Sequence, residues 1–452
     1  MKITIKSIFN FALILLTMQG CSKYLDKKPD KKLVVPSKIP DLQALMDNIN
    51  TMNHSNLWIG EASADDYYLT TEQWQSIGSE FVRNAYIWGD ELFGDNSNNT
   101  WAATYHTVYD CNVVLDNINK VKVEPNQQTD LKNVRGIALF FRGFTFHRLA
   151  TLFANCYDEK TADQDLGIPL RLNSDFNQKS VRSSVGQTYT QIIKDLTQAA
   201  QLLPDYQDYT FRPSKCAAYG MLARVYLSMR KYDQALLYAD SCLQINNTLL
   251  NFNDLDSNTA FPIAQFNDET IFYADGGNAP VTNFTAKIDS NLYQFYTVND
   301  LRKPIYFETN SDSSHAMYGF YTGSALMFYG LAVDEQYLIK AECLARSNKI
   351  SEAMATLNKL LITRWKTGTF IPFTANNSQE ALSTILKERR KELLMRDLRW
   401  QDIKRLNKEG ANISIKRIID SKTYELPPNS SKFALPLPAY IIKMTGMPQN
   451  PR

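Results

Sequence analysis

The residues in this chain that can carry acid–base, nucleophilic or metal chemistry are scattered in a way that assembles no common reactive site locally. Four histidines, His54, His106, His147 and His315, lie far apart, and none stands at metal-ligand spacing from a second His, Cys or acid. There is no G-x-S-x-G elbow, no glycine-rich phosphate loop and no dinucleotide fingerprint. Asp65 and Asp66 are adjacent, so on a regular element their carboxyls would point apart and make a poor acid–base pair. No catalytic residue, no metal and no cofactor are expected.

What the sequence concentrates instead is aromatic side chains among short polar ones. Residues 53–99 hold Trp58, Tyr67, Tyr68, Trp74, Trp88 and Phe93 among Gly, Asn, Ser and Asp, and residues 251–330 have a similar composition. Loops this long are functional or disordered, and aromatic content argues against disorder. These segments are the place to look for a ligand, held by ring faces with short polar side chains beside them. The candidate ligand contacts are Trp74, Trp88 and Tyr296 for stacking, with Asp66 and Asn96 as polar partners. A few stacks of roughly 0.5 to 1.5 kcal/mol each imply weak capture, about −8 to −4 kcal/mol.

Helices must position these segments. From Thr100 onward the apolar period is helical: Trp101, Tyr105, Val108, Cys111, Val114, Leu115 and Ile118 fall on one face at three- and four-residue steps. The next two helical stretches are "LKNVRGIALFFRGFTFHRLATLF" and "TYTQIIKDLTQAAQLLPD", the latter stopped at Pro204. The stretch "CAAYGMLARVYLSMRKYDQALLYADSCL" lies over a helix-turn-helix repeat of roughly 34 residues. Tyr219, Leu222, Ala223 and Tyr226 take the first-helix positions and Ala235 the first small position of the second helix. Tyr337, Ala341 and Ala353 repeat Tyr219, Ala223 and Ala235 at one constant offset. Two copies in phase predict stacked helix pairs, since a lone pair leaves an apolar face uncovered.

Composition bounds the rest. The chain has 452 residues, 44% hydrophobic and 21% charged, which reads as globular with a large core. A net charge of +2 leaves no electrostatic footprint for nucleic acid, and the basic run "KERRKELLMR" is interleaved with Glu388 and Glu392 as a charge-paired helix. Six cysteines without CxxC spacing argue against a disulfide framework. Cys216, Cys242 and Cys343 sit among alanines and read as packing residues.

The N-terminus has a different chemistry. Lys2 and Lys6 precede an apolar run over residues 8–18, too short to span a bilayer and shaped as a secretion signal. It ends at Gly20-Cys21. This resembles a lipobox, with cleavage before Cys21 and acylation of its thiol, although Met18 and Gln19 replace the Leu and Ala or Ser of the common pattern. The division expected is a lipoprotein signal peptide over 1–20, a lipid-anchored tether over 21–34, and a single domain over 35–452.

Taken in order, "SKYLDKKP" after the cysteine, "FFRGFTFHRLATLF" followed by "LGIPL", "RPSKCAAYGMLARVYL", "YLIKAECLAR", "ILKERRKELLMRDLRWQDIKR" and the closing "LPLPAYIIKMTGMPQNP" resemble the SusD/RagB family of lipid-anchored nutrient-binding proteins. The resemblance implies an all-α dominated fold of tetratricopeptide-like helix pairs, with irregular insertions near 53–99 and 251–330 as the ligand face. It also implies a SusC-type TonB-dependent outer-membrane barrel as partner, a glycan or other oligomeric nutrient as cargo, and an outer-membrane, cell-surface location. Glu388, Arg389, Glu392, Arg399, Trp400 and Asp402 match a family motif and read as a partly buried structural network. Arg396 and Asp397 stand where the family often has Glu-Gly. A glycine there would permit positive φ, which Asp also tolerates. Alternatives are a peptide cargo as in the RagB branch, a helical-repeat adaptor for a protein segment, and a surface hydrolase.

Overall fold

The computed structural model describes residues 36–54, 57–93, 99–277 and 285–452. Cys21 and Asn96 lie outside the described residues.

Ten longer helices and one C-terminal helix carry the architecture. They are α1 (Ile39–Met46), α2 (Thr100–Asn117), α3 (Gln128–Phe153), α4 (Val185–Leu202), α5 (Lys215–Ser228), α6 (Tyr232–Ile245), α7 (Val333–Arg346), α8 (Ile350–Leu361), α9 (Ser378–Glu392), α10 (Arg399–Asn407) and α11 (Ala439–Thr445). From α2 to α8 each helix packs on the next in chain order, α7 and α8 both pack on α9, and α1 lies across α2 and α3. The described strands form only two-stranded antiparallel pairs. The fold is helix-dominated, as the periodicity predicts.

Side-chain caps set several of the helix starts: Asn99, Ser184, Ser214 and Asn377 each accept a backbone N–H from the first turn. The two-copy pattern is visible in the backbone. The turn between α5 and α6 places Arg230 at φ 60°, and the turn between α7 and α8 places Asn348 at φ 60°. In both, the following lysine donates to a carbonyl five residues back, Lys231 to Tyr226 and Lys349 to Leu344, each at 2.9 Å. Left-handed conformation costs most residues with a Cβ about 1 kcal/mol or more, and Asn less, and the repeat accepts it twice. Ala223, Ala235, Ala239, Ile339 and Cys343 form one buried cluster where the two pairs meet, so the small residues let α6 approach α7 directly.

Residues 251–330 leave the stack between α6 and α7 and return without separating those helices. Their insertion is stitched back by charge. Arg302 donates to Asp300 at 2.8 Å, to Glu388 at 2.6 Å and to Glu392 at 2.9 Å, all buried. Arg364 joins Glu392 to Glu269, each at 2.7 Å, and Lys391 reaches Asp300 at 2.8 Å and Glu388 at 2.9 Å. The charge run of α9 was expected to pair within its own helix; only Lys391–Glu388 does so. Glu388 and Glu392 instead face arginines distant in sequence, because the run is buried and a buried charge needs a fixed partner. The remaining motif residues also act structurally: Arg389 donates to Asp402 at 2.8 Å, Arg399 to Asp65 at 2.6 and 2.9 Å, and Trp400 is fully buried.

Candidate functional site

The expected contacts are not gathered into a site. Trp88 is 2% exposed, its indole N–H donates to the Ser63 carbonyl at 3.0 Å, and the Arg417 guanidinium lies 5.6 Å from its ring. Tyr296 is 1% exposed and donates to the Lys391 carbonyl at 2.8 Å. Neither ring offers a face to a ligand. Both belong to the core that forms when the insertions fold back on the helices, as large apolar surface does whenever it can. Asp66 is equally interior, accepting from Arg390 Nε at 2.9 Å. Trp74 is half-buried and donates to the Arg83 carbonyl at 3.1 Å, outside the cleft described next.

Asp65 and Asp66 do not point apart. They lie between the short helix Ile59–Ser63 and a two-residue strand, Tyr67–Tyr68, and both turn toward Arg390 and Arg399. Burial would raise the Asp65 carboxyl, but Arg399 and Arg390 outweigh it and hold it well below the usual range. At Asp66 burial wins over the same arginines, and the carboxyl is raised.

A cleft of about 370 Å³ opens where the segment before residue 55 meets α2 and α3. Its lining is rich in hydrogen-bonding groups: Asn50, Thr51 and His54 on one side, Thr104, His106 and Thr107 on α2, and Thr145 and Arg148 on α3. Met52, Leu57 and Phe144 supply its apolar part. His54 is fixed from behind by Asp275, with Nδ1 to Oδ1 at 2.6 Å, and Tyr273 donates its hydroxyl to the other oxygen of Asp275 at 2.7 Å. The Tyr273 hydroxyl, raised by burial and by its bond to Asp275, stays protonated and a donor. The backbone repeats the link, since the Asp275 N–H donates to the Asn53 carbonyl at 3.0 Å. Thus the first and second insertions meet at this edge.

Arg148 forms part of the lining and is 9% exposed. It donates to the Leu57 carbonyl at 2.9 Å and to Asp397 at 3.2 Å, and its guanidinium stands 4.7 Å from the Tyr329 ring. Asp397 adopts φ 59°, so the turn predicted to survive without glycine does survive. Its carboxyl occupies space that a Cβ on Gly60 would enter at 2.6 Å. Burial pushes that carboxyl up to about 6 against the pull of Arg148. Neighbouring Glu61 is raised well above its usual range, by burial first and then by Asp66 and Asp397.

His54, His106 and Arg148 are not marked by the sequence, because the histidines have no metal-ligand spacing and Arg148 lies in the buried, largely apolar C-terminal half of α3. A signal was available: Thr104 and Thr107 are buried polar residues flanking the apolar face of α2, with the exposed His106 beside them. Among the described residues no group of three His, Cys, Asp or Glu is placed to hold a metal ion, and Cys111, Cys156, Cys216, Cys242 and Cys343 are free.

Residues 23–227 match a protein family described as starch-binding, associating with the outer membrane, and residues 151–433 match the SusD family. The chain is 24% identical to the SusD-like protein P2 of Formosa agariphila, with 98% of each chain covered. Its fold superposes on a SusD superfamily protein from Bacteroides thetaiotaomicron with a TM-score of 0.75 at 23% identity, over 92% of this chain and 100% of that one. It also superposes on a SusD-like carbohydrate binding protein from Bacteroides vulgatus with a TM-score of 0.69 at 21% identity, over 91% and 97%.

Proposed function

The chain belongs to the SusD family, and from that premise we propose that it captures a glycan in the cleft between His54, His106 and Arg148 and releases it unchanged. The observation that carries this reading is the lining itself. Imidazole, amide, hydroxyl and guanidinium groups converge on a space of about 370 Å³, and such groups match sugar hydroxyls as both donors and acceptors. Glycoside hydrolysis uses two carboxyl groups flanking the bond, and none of the described lining residues carries one. Asp275 stands behind His54 as a single carboxylate already bonded on both oxygens.

The family's outer-membrane association supports the wider reading. Residues 1–20 are a signal peptide removed before Cys21, residues 21–34 a tether from an acylated Cys21, and residues 35–452 one ligand-binding body at the cell surface. The body delivers its glycan to a SusC-type TonB-dependent barrel. Weak binding suits that task because release must follow capture. Titration calorimetry against starch, laminarin and their oligosaccharides, with chromatography of the recovered glycan, tests the reading. Micromolar to millimolar binding with no shortened product is expected. Response to a peptide pool and to no glycan would transfer the cleft to the RagB-type alternative, and shortened product would make the protein a hydrolase.

A further inference from the structure

A second cavity, about 340 Å³, lies along α2 between its outer side, the loop of residues 169–180 and α11. Its character differs from that of the cleft. Phe176 is 82% exposed, Met444 71% and Tyr109 41%, and Tyr440 also lines it. Large apolar groups gathered at a surface mark a place where something binds. Polar groups share the same space: Arg171 and Ser180 line it, held together by a bond of 3.1 Å.

The groove is built rather than incidental. Asn112, fully buried, donates to the carbonyls of Arg171 at 2.9 Å and Asn173 at 3.2 Å, and it accepts from Arg142 at 2.9 Å. Arg142 in turn is locked to Asp195 by two bonds of 2.7 Å. The loop that presents Phe176 is therefore anchored to the α3–α4 interior, which lowers the ordering cost of binding there. The groove lies around α2 from the cleft, and the two meet along the exposed ridge of that helix. Ala102 lines both cavities, and the His106 ring of the cleft stacks on the Tyr109 ring of the groove at 6.3 Å and 22°. At about 1.5 Å rise per residue, Thr104 in the cleft and Asn112 in the groove stand roughly 12 Å apart along one helix.

We infer that this aromatic groove is a second subsite for the same glycan, so that one chain spans from the His54 cleft over His106 and Tyr109 to Phe176. This rests on the reading that the cleft holds a glycan. The cleft supplies hydrogen bonds and few open rings, while the groove supplies open rings with a guanidinium and a hydroxyl beside them. Together they hold both kinds of sugar surface, and affinity grows with chain length.

Calorimetry with maltotriose and soluble starch, and with laminaritriose and laminarin, on the wild type, Phe176→Ala and the Phe176→Ala/Met444→Ala pair is the test. The polymer is expected to bind the wild type about tenfold tighter than its trimer, and the double variant is expected to lose that factor while keeping trimer affinity. Trimer binding by the variants reports that they are folded. Unchanged polymer affinity in the double variant overturns the groove and leaves the cleft standing. The same result with loss of a protein partner assigns the groove to that partner instead. No binding of any of the four glycans to the wild type overturns the cleft reading, and the groove falls with it.

Discussion

The arginines of this protein occupy two kinds of place. Around Arg302 and Arg364 every guanidinium is closed in by carboxylates, all but Asp300 from other elements, at 2.6 to 2.9 Å, and all of these side chains are buried. At the cleft, Arg148 has one carbonyl and one carboxylate and lines open space beside His54 and a row of threonines. The first arrangement spends its hydrogen bonds on joining the insertion to the helix stack. The second holds its polar groups in position without saturating them. Polar density alone therefore does not mark a site; unspent bonding capacity facing a cavity does.

The largest effect is expected on removing a member of the closed network. Arg302→Met leaves Asp300, Glu388 and Glu392 with only Lys391 and Arg364, and is expected to cost about 3 to 5 kcal/mol in denaturant unfolding. A loss under about 1 kcal/mol would mean the network is not closed. Next is a pH dependence beside the cleft. The Asp397 carboxyl sits at about 6 when folded against 3.8 for an ordinary Asp, so between those values only the folded chain holds the proton. Stability is expected to rise as pH falls through that window and to be lost as pH rises through about 6, by on the order of 3 kcal/mol at most. Asp397→Asn should flatten that slope in unfolding curves collected from pH 4 to 7, although Glu61 contributes in the same direction.

Gly60→Ala pushes a methyl against Asp397 and is expected to cost about 1 to 3 kcal/mol. Adding Asp397→Gly should recover part of it, a coupling that a double-mutant cycle reads directly. On the open side, His54→Ala is expected to weaken glycan binding by about tenfold, or about 1.4 kcal/mol, with an unfolding midpoint close to wild type. If stability and affinity fall together, His54 belongs with the closed network. The smallest effect is at the repeat turn: Asn348→Gly relieves the left-handed backbone at φ 60° and should change stability by a few tenths of a kcal/mol.

Much of the helix stack was legible from residue order. The small residues Ala223, Ala235, Ala341 and Ala353 fall where α5 to α8 need close approach, and all are fully buried. Asp397 was expected to keep its turn and does. The candidate site was far less legible. Trp88 and Tyr296 stand among polar residues as the rings of a ligand platform do, yet the same rings are the best material for a core. Which use prevails depends on whether residues 53–99 and 251–330 fold onto the helices or away from them, and no local pattern encodes that.

By itself the sequence determined the helices, their pairing and the family, because each follows from short-range periodicity or from motifs read in order. Only the tertiary structure decided which charges were sealed and which were left facing a cavity. That choice is made by contacts between residues hundreds of positions apart, Arg148 with Asp397 and His54 with Asp275, and burial is a property of the folded volume rather than of any stretch of chain.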